Sequence, residues 1–446
     1  MKLPITKLSA LTAIVCAICV TSLVLIPFAS ADWTTFRSDS AHNGLATGNS
    51  ATGPGLIWMF HTGAGVFSSP AVTNGTLFIG SEDSNVYALN AATGTQIWNY
   101  TTGSAVDSSP AVVNGVVYIG SNDGNLYALN ANTGAKMWSA KTGAEIYSSP
   151  NVVGGIVYVG SFDHNVYAFN ANTGTKLWSY TTGDQVYSSP AVVGGILYIG
   201  SNDHNIYALN ATNGAKIWSY TTSDTVYSSP AVDSGVVYVG SSDNNVYALN
   251  ATNGANIWSY ATSSTVISSP AVSNGVVYVG SFDGNLYALN SANGNKIWNY
   301  STSGGVDSSP AVVGNNVYVG SFDDVVYVLD TISGTQLWNF TAGDAANSSP
   351  TIVGGIAYSA SSDDNVYAYN GPATSTSNPT PTPTSTSTTT TTPTTSPSTS
   401  TTSTASSSPT VPEFPTQLIG ITLAACLIAS LFAVIVAKKR TTFKNV

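Results

Sequence analysis

From Leu56 to Asn370 the apolar positions come in short bursts separated by Gly, Asn, Asp and Ser. Residues 108–147 read SSPAVVNGVVYIGSNDGNLYALNANTGAKMWSAKTGAEIY. Four β-type runs stand out in this stretch: Ser-Pro-Ala-Val-Val, then 116–119, then 125–129, then a run that contains Trp138. Val, Ile, Tyr and Trp dominate these runs, as strands prefer. The first two runs are joined by Asn114-Gly115, elsewhere by Asn74-Gly75, Gly154-Gly155 or Asn274-Gly275, which predict two-residue hairpin turns. Thr133-Gly134 or Asn213-Gly214 join the third run to the fourth. Ser-x-Asp-x-Asn joins the second to the third, and the residue after its Asp is Gly, Asn, Asp, Ser or His. Most of these types tolerate positive φ, so His164 and His204 are expected to be turn residues rather than metal ligands.

The unit recurs at a fixed step of 40. Ser-Ser-Pro begins at 68, 108, 148, 188, 228, 268, 308 and 348. Tryptophan stands at Trp58, Trp98, Trp138, Trp178, Trp218, Trp258, Trp298 and Trp338. Four strands repeated eight times predict an all-β, eight-bladed β-propeller over 56–370. Ser and Ala suit the crowded centre, and Trp and Tyr suit the widening wedges between blades. The Trp58 run precedes the first Ser-Ser-Pro, and the last unit stops at Asn370 without a Trp run of its own. Residues 56–60 are therefore expected to complete the eighth blade and remove an open edge, which favours a monomeric propeller.

The phrase Tyr-Ala-Leu-Asn-x-x-Thr-Gly-x-x-x-Trp resembles the tryptophan-docking repeat of pyrroloquinoline quinone-type, BamB-like propellers. The lead-in Trp33-Thr34-Thr35-Phe36-Arg37-Ser38-Asp39, closing at Gly44, is similar to that family's N-terminal segment. The resemblance covers 32–370 and implies the eight-bladed fold. Its enzymes imply a quinone held between a Trp and an adjacent-Cys disulfide, with Ca²⁺ on Glu, Asn and Asp and an Asp base. Its BamB-type members imply a protein–protein platform. Only Cys16, Cys19 and Cys426 occur here, and every Trp from 58 to 338 occupies the same repeat position. No Ser/His/Asp set, nucleotide loop or distinctive carboxylate pair appears. The expectation is a non-catalytic binding scaffold without a cofactor or resident metal, with a carbohydrate-binding propeller as the alternative and a quinone-dependent dehydrogenase behind both.

The two ends of the chain read as addresses. Lys2 and Lys7 precede an uncharged apolar run from Leu8 to Phe28, and Ala29-Ser30-Ala31 forms a small-x-small site: a secretory signal peptide over 1–31. Residues 32–55 form the lead-in. Residues 371–410 are almost wholly Ser, Thr and Pro and predict an extended, glycosylated stalk. Residues 416–437 carry no charge and suffice for a transmembrane helix of roughly 30 Å, and the basic tail 438–446 places that end in the cytoplasm. Pro412-Glu413-Phe414-Pro415, within 411–415, resembles the archaeal PEF-type C-terminal sorting signal, in whose family a sortase-like protease removes the span. The expected location is the cell surface, with the propeller outside.

Charge marks one side of the disk. The whole chain has 12 Lys+Arg and 22 Asp+Glu, a net −10, which argues against a nucleic-acid partner. In a propeller the second-to-third-strand loops and the blade-to-blade loops share a face. Asp83, Asp123, Asp163, Asp203, Asp243, Asp283, Asp323 and Asp363 lie on the first loop class and are expected to cap turns. Asp107, Glu145, Asp184, Asp224, Asp307 and Asp344 lie on the second and form a candidate binding face. Lys136, Lys176, Lys216 and Lys296 belong to the opposite face. The residue before each Ser-Ser-Pro varies, and Tyr147, Tyr187 and Tyr227 are expected to form an aromatic arc at the channel mouth. The partner expected there is a protein or polysaccharide of the cell envelope, held by weak, salt-sensitive attraction. Asn74, Asn99, Asn210, Asn250, Asn299, Asn339 and Asn347 begin Asn-x-Ser/Thr sequons and are candidate glycan acceptors.

Overall fold

A computed structural model describes residues 32–370. The expected signal peptide, stalk, sorting motif, transmembrane span and basic tail lie outside the described residues. Within them the chain is all-β, and no helix is long and apolar enough to cross a membrane. Eight four-stranded antiparallel blades form a ring.

One blade shows why the repeat folds as it does. Its strands are Ala191–Val193, Ile196–Gly200, Asn205–Asn210 and Lys216–Thr221. Ala191 pairs with Tyr198, Tyr198 with Ala208, and Ala208 with Trp218. One row across the sheet thus runs small, large, small, largest, and the blade thickens away from the axis. A bulge separates the pairs Ala208↔Trp218 and Leu209↔Lys216. It turns Ile217 outward while the Trp218 ring stays buried. The hairpin turns are as expected: Asn74 and Gly75 have φ of 50° and 74°. His164 and His204 both sit at φ 71°, as turn residues.

The innermost strand is shorter than the sequence suggests. The Ser-Pro-Ala-Val-Val run yields a strand only from Ala onward, for example Ala111–Val113. The Ser-Ser-Pro residues bond sideways instead. The N–H of Ser69 donates to Ser109 Oγ at 2.8 Å, Ser109 to Ser149 at 3.0 Å, and the series continues until Ser349 donates to Ser69 at 3.0 Å. Eight blades are therefore joined by an unbroken circle of hydrogen bonds around the channel. Proline after each pair has no N–H to pull the serines into the ladder.

Blades also dock by tryptophan. Trp178 Nε1 donates to Ala211 O of the next blade at 3.0 Å, and Trp58 to Ala91 O at 2.9 Å. The indole covers the next blade's turn glycine. A Cβ on Gly214 would stand 2.7 Å from the Trp178 ring, at a φ of +72°. At Gly155, with φ +78°, a Cβ would meet nothing within 4 Å. Gly155→Ala should therefore cost only left-handed strain, about 1 kcal/mol. Gly214→Ala should cost roughly 2 kcal/mol, since the indole must also move. Thermal denaturation of the two variants checks the ranking; equal losses would show that the turn carries no docking load.

The ring closes as the repeat count requires. Leu56–His61 pairs antiparallel with Asn365–Tyr369, with Trp58 opposite Ala368. The N-terminal strand is the outer strand of the last blade, and Asn370 N donates to Gly55 O at 2.8 Å.

Candidate functional site: the channel mouth

The lead-in blocks the channel. Its carbonyls accept from the inner strands in turn: Thr34 O from Val112 N, Ser40 O from Val192 N, Ala41 O from Val232 N, Asn43 O from Val272 N and Gly44 O from Val312 N. Trp33 pairs with Val72, and Leu45–Ala46 adds a short parallel strand beside Ala311–Val313. These inner-edge donors would otherwise face the channel unpaired. Arg37 is 2% exposed and donates to Pro270 O at 2.7 Å and to Pro310 O. Burial lowers its pKa to about 9, against the pull of Asp39. Burial, with Arg37 nearby, lowers His42 to about 3, so this imidazole is neutral.

Above the plug lies a bowl of about 120 Å³. Phe36 forms its floor and the second serine of each Ser-Ser-Pro its waist. Its lip is the varied position: Phe67, Asp107, Tyr147, Tyr187, Tyr227, Ile267, Asp307 and Asn347. The structure thus brings together all three expected tyrosines. Tyr147 stacks on Tyr187 at 5.3 Å and 19°, and Tyr187 meets Tyr227 edge-on at 5.5 Å and 84°. Tyr147 also stacks on Phe162 at 4.5 Å. Phe162 belongs to the residue before the turn Asp, a position that places Phe282 and Phe322 on the same face, in mutual contact at 5.4 Å. These phenylalanines escaped the sequence reading because that position is Asn, Ser or Glu in the other repeats.

The six acids of the expected binding face do not act as one group. Only Asp107 and Asp307 line the mouth. Glu145, Asp184, Asp224 and Asp344 stand exposed, nearer the loop start. Three of them turn back on their own chain: Asp184 accepts from Gln185 N, Asp224 from Thr225 N and Asp344 from Ala345 N, each at 2.7 Å. The sequence position decides this. The residue directly before Ser-Ser-Pro points to the axis, whereas one two or three places earlier sits on the outer loop.

Burial raises the Asp307 pKa from 3.8 to about 6. Asp107 is also raised by burial, against a 2.7 Å bond from Asn122 Nδ2, and its Oδ1 is buried without a partner. Tyr187 keeps 38% of its surface open. Its hydroxyl is pushed up by crowding and then by the fields of Asp307 and Asp107.

The eight repeated aspartates are structural. Asp203 accepts from Gly183 N at 2.6 Å, Tyr207 OH at 2.7 Å and Asn205 N at 3.0 Å. Each of the eight makes the equivalent bonds to a loop N–H twenty residues earlier and to a Tyr four residues on. Burial pushes Asp203 up, but these donors outweigh it and hold its carboxyl below the ordinary value. The bonds also place both loop classes side by side on one face.

The sequons divide. Asn74, Asn99, Asn299 and Asn339 are exposed. The Oδ1 atoms of Asn210 and Asn250 cap turns, each accepting two backbone N–H groups, and Asn347 Nδ2 donates to Ser362 Oγ at 3.0 Å.

A quinone of the kind the family's enzymes carry does not fit these residues. The indoles from Trp58 to Trp298 are committed to blade docking, each bonded to a carbonyl of the next blade. The plug leaves a bowl well below the several hundred Å³ of ordinary cofactor sites. Among the described residues there is no group of three or more His, Cys, Asp or Glu that could hold a metal ion.

Two family models match within the propeller. The β-propeller of β-alanine-activating enzyme matches 105–313, and the outer membrane protein assembly factor BamB matches 27–107 and 301–376. Together they support a PQQ-like, BamB-like propeller family for these repeats. No curated protein matches the sequence. Among solved structures, BamB from Moraxella catarrhalis is similar with a TM-score of 0.62 and 21% identity, covering 71% of this chain and 99% of that one. The computationally designed Ika8 protein has a TM-score of 0.65 and 17% identity, covering 71% and 100%. A quinohemoprotein alcohol dehydrogenase from Comamonas testosteroni has 0.66 and 17%, covering 76% and 80%. At these identities the likeness is one of fold, which a non-enzyme and an enzyme share.

Proposed function

We propose that this protein is a non-catalytic binding scaffold of the cell surface, displayed on its Ser/Thr/Pro stalk and engaging a protein of the envelope through the channel-mouth face. The observation that carries this reading is the mouth itself: a shallow bowl, closed below by Phe36, with an aromatic arc and two carboxylates on its lip. Interfaces concentrate their binding energy in such half-buried aromatic clusters. The polysaccharide reading is weaker, because Tyr147, Phe162 and Tyr187 pack on one another, with ring centroids 4.5, 5.3 and 6.0 Å apart, and so spend part of their ring surface on each other.

The full chain, used as bait on native envelope, tests this. Tyr187→Ala should reduce protein capture at least fivefold. Replacing Lys136, Lys176, Lys216 and Lys296 with Gln, on the other face, should leave it unchanged. Loss with the lysine set alone would place the interface on the wrong side of the disk, and recovery of polysaccharide instead of protein would favour the carbohydrate reading.

A further inference from the structure

The mouth is polar in a one-sided way. Its lining contains two carboxylates and no Lys, Arg or His. Arg37, beside Phe36 in the plug, is spent on prolyl carbonyls, and the carboxylate whose field it feels is Asp39. Asp107 leaves one oxygen buried without a donor. The serine waist adds acceptors: each Oγ takes one N–H from its neighbour, which leaves a second lone pair. Phe67, Ile267 and Tyr227 supply apolar wall beside these oxygens.

We propose that the mouth is a receptor for one alkylammonium group, the side chain of a lysine on the protein partner, inserted along the channel axis between Asp107 and Asp307. An ammonium carries three donors and no acceptor, which matches a lining rich in oxygen acceptors. Its compact head suits 120 Å³ better than the broad, planar guanidinium fork. Its methylene stem can lie along Phe67 and Ile267 while the head reaches the carboxylates. A bare divalent cation fits less well, since it wants six or more oxygen ligands close in and the two carboxylates belong to separate blades. This inference rests on the mouth face being the docking face.

The test uses the full chain and a small probe, Nα-acetyl-lysine N-methylamide, with the norleucine analogue as its uncharged counterpart and calcium chloride as competitor. Titration calorimetry or ligand-observed NMR should show the lysine probe binding at least tenfold more tightly than the norleucine one. Asp107→Asn with Asp307→Asn should erase that preference, with thermal melting confirming the fold. Calcium should compete no better than sodium at equal ionic strength. Equal binding of both probes, or a preference that survives the double variant, overturns the proposal. Carbodiimide cross-linking to captured partner separates the sources: bonds from Asp107 or Asp307 to a partner lysine support a protein side chain, and bonds only to free amines refute it. Partner capture undiminished in the double variant would leave the scaffold reading standing and remove the lysine pocket. Probe binding without any protein partner would leave an alkylammonium pocket and remove both the scaffold reading and the partner lysine.

Discussion

Trp58→Ala is expected to lower the unfolding free energy by about 3–5 kcal/mol, the usual cost of removing a large buried aromatic with its cavity. Trp58 is 8% exposed, packs on Tyr358 at 5.9 Å and donates to Ala91 O. Trp218 is equally buried and bonded in the same way to Ala251 O. The two truncations should therefore cost about the same at equilibrium. They should differ in rate. Trp58 stands on the one strand that comes from the far end of the chain, so its loss loosens the seam where the ring opens. Trp58→Ala should accelerate unfolding in denaturant more than Trp218→Ala. An unchanged melting temperature for Trp58→Ala would show that the seam carries no load.

Asp307→Asn is expected to stabilise the protein at pH 7.5 and to do little at pH 4. The folded carboxyl titrates near 6 because burial disfavours its charge, while the unfolded carboxyl titrates near 3.8. A raised carboxylate costs nothing while both states are protonated. Its cost grows as pH climbs through that window and is complete above about 6. The displacement corresponds to about 3 kcal/mol. Asn keeps the shape and never ionises, so the gain should appear only on the alkaline side. Melting curves at the two pH values check the sign; an equal shift at both would trace the effect to packing rather than charge. A carboxylate kept at such a cost fits a group retained for binding rather than for folding.

The repeat made the fold legible. A fixed step of 40 between Ser-Ser-Pro and between tryptophans defines the blade, and the missing Trp run after Tyr369 locates the closing strand. Asp-Asn spacing announced the turns, though not that Asp203 reaches Gly183 N across twenty residues. The mouth was half legible. The varied position before Ser-Ser-Pro identified the three tyrosines, because variation against a constant background shows up in one chain. Phe36 and Arg37 could not be placed that way. They occur once, in a segment without period, and the partners of Arg37 at Pro270 and Pro310 lie more than two hundred residues away. The division between Asp307 and Asp344 depends on which way a loop residue faces the axis, which a difference of three positions decides only after folding.

The lead-in also works as a gauge. The serine circle and the indole bonds of Trp58 to Trp298 link each unit to the next at the same repeat positions, so those bonds do not count blades. A recombination that deleted forty codons from the gene would leave each remaining junction intact. The plug would register the loss. Its carbonyls from Thr34 to Gly44 meet blades two, four, five, six and seven in order, and Arg37 spans Pro270 and Pro310 of adjoining units. With seven units, those contacts would fall out of step around a narrower bore. Among the described residues, the one segment that does not repeat is therefore the one whose contacts are matched to eight repeats.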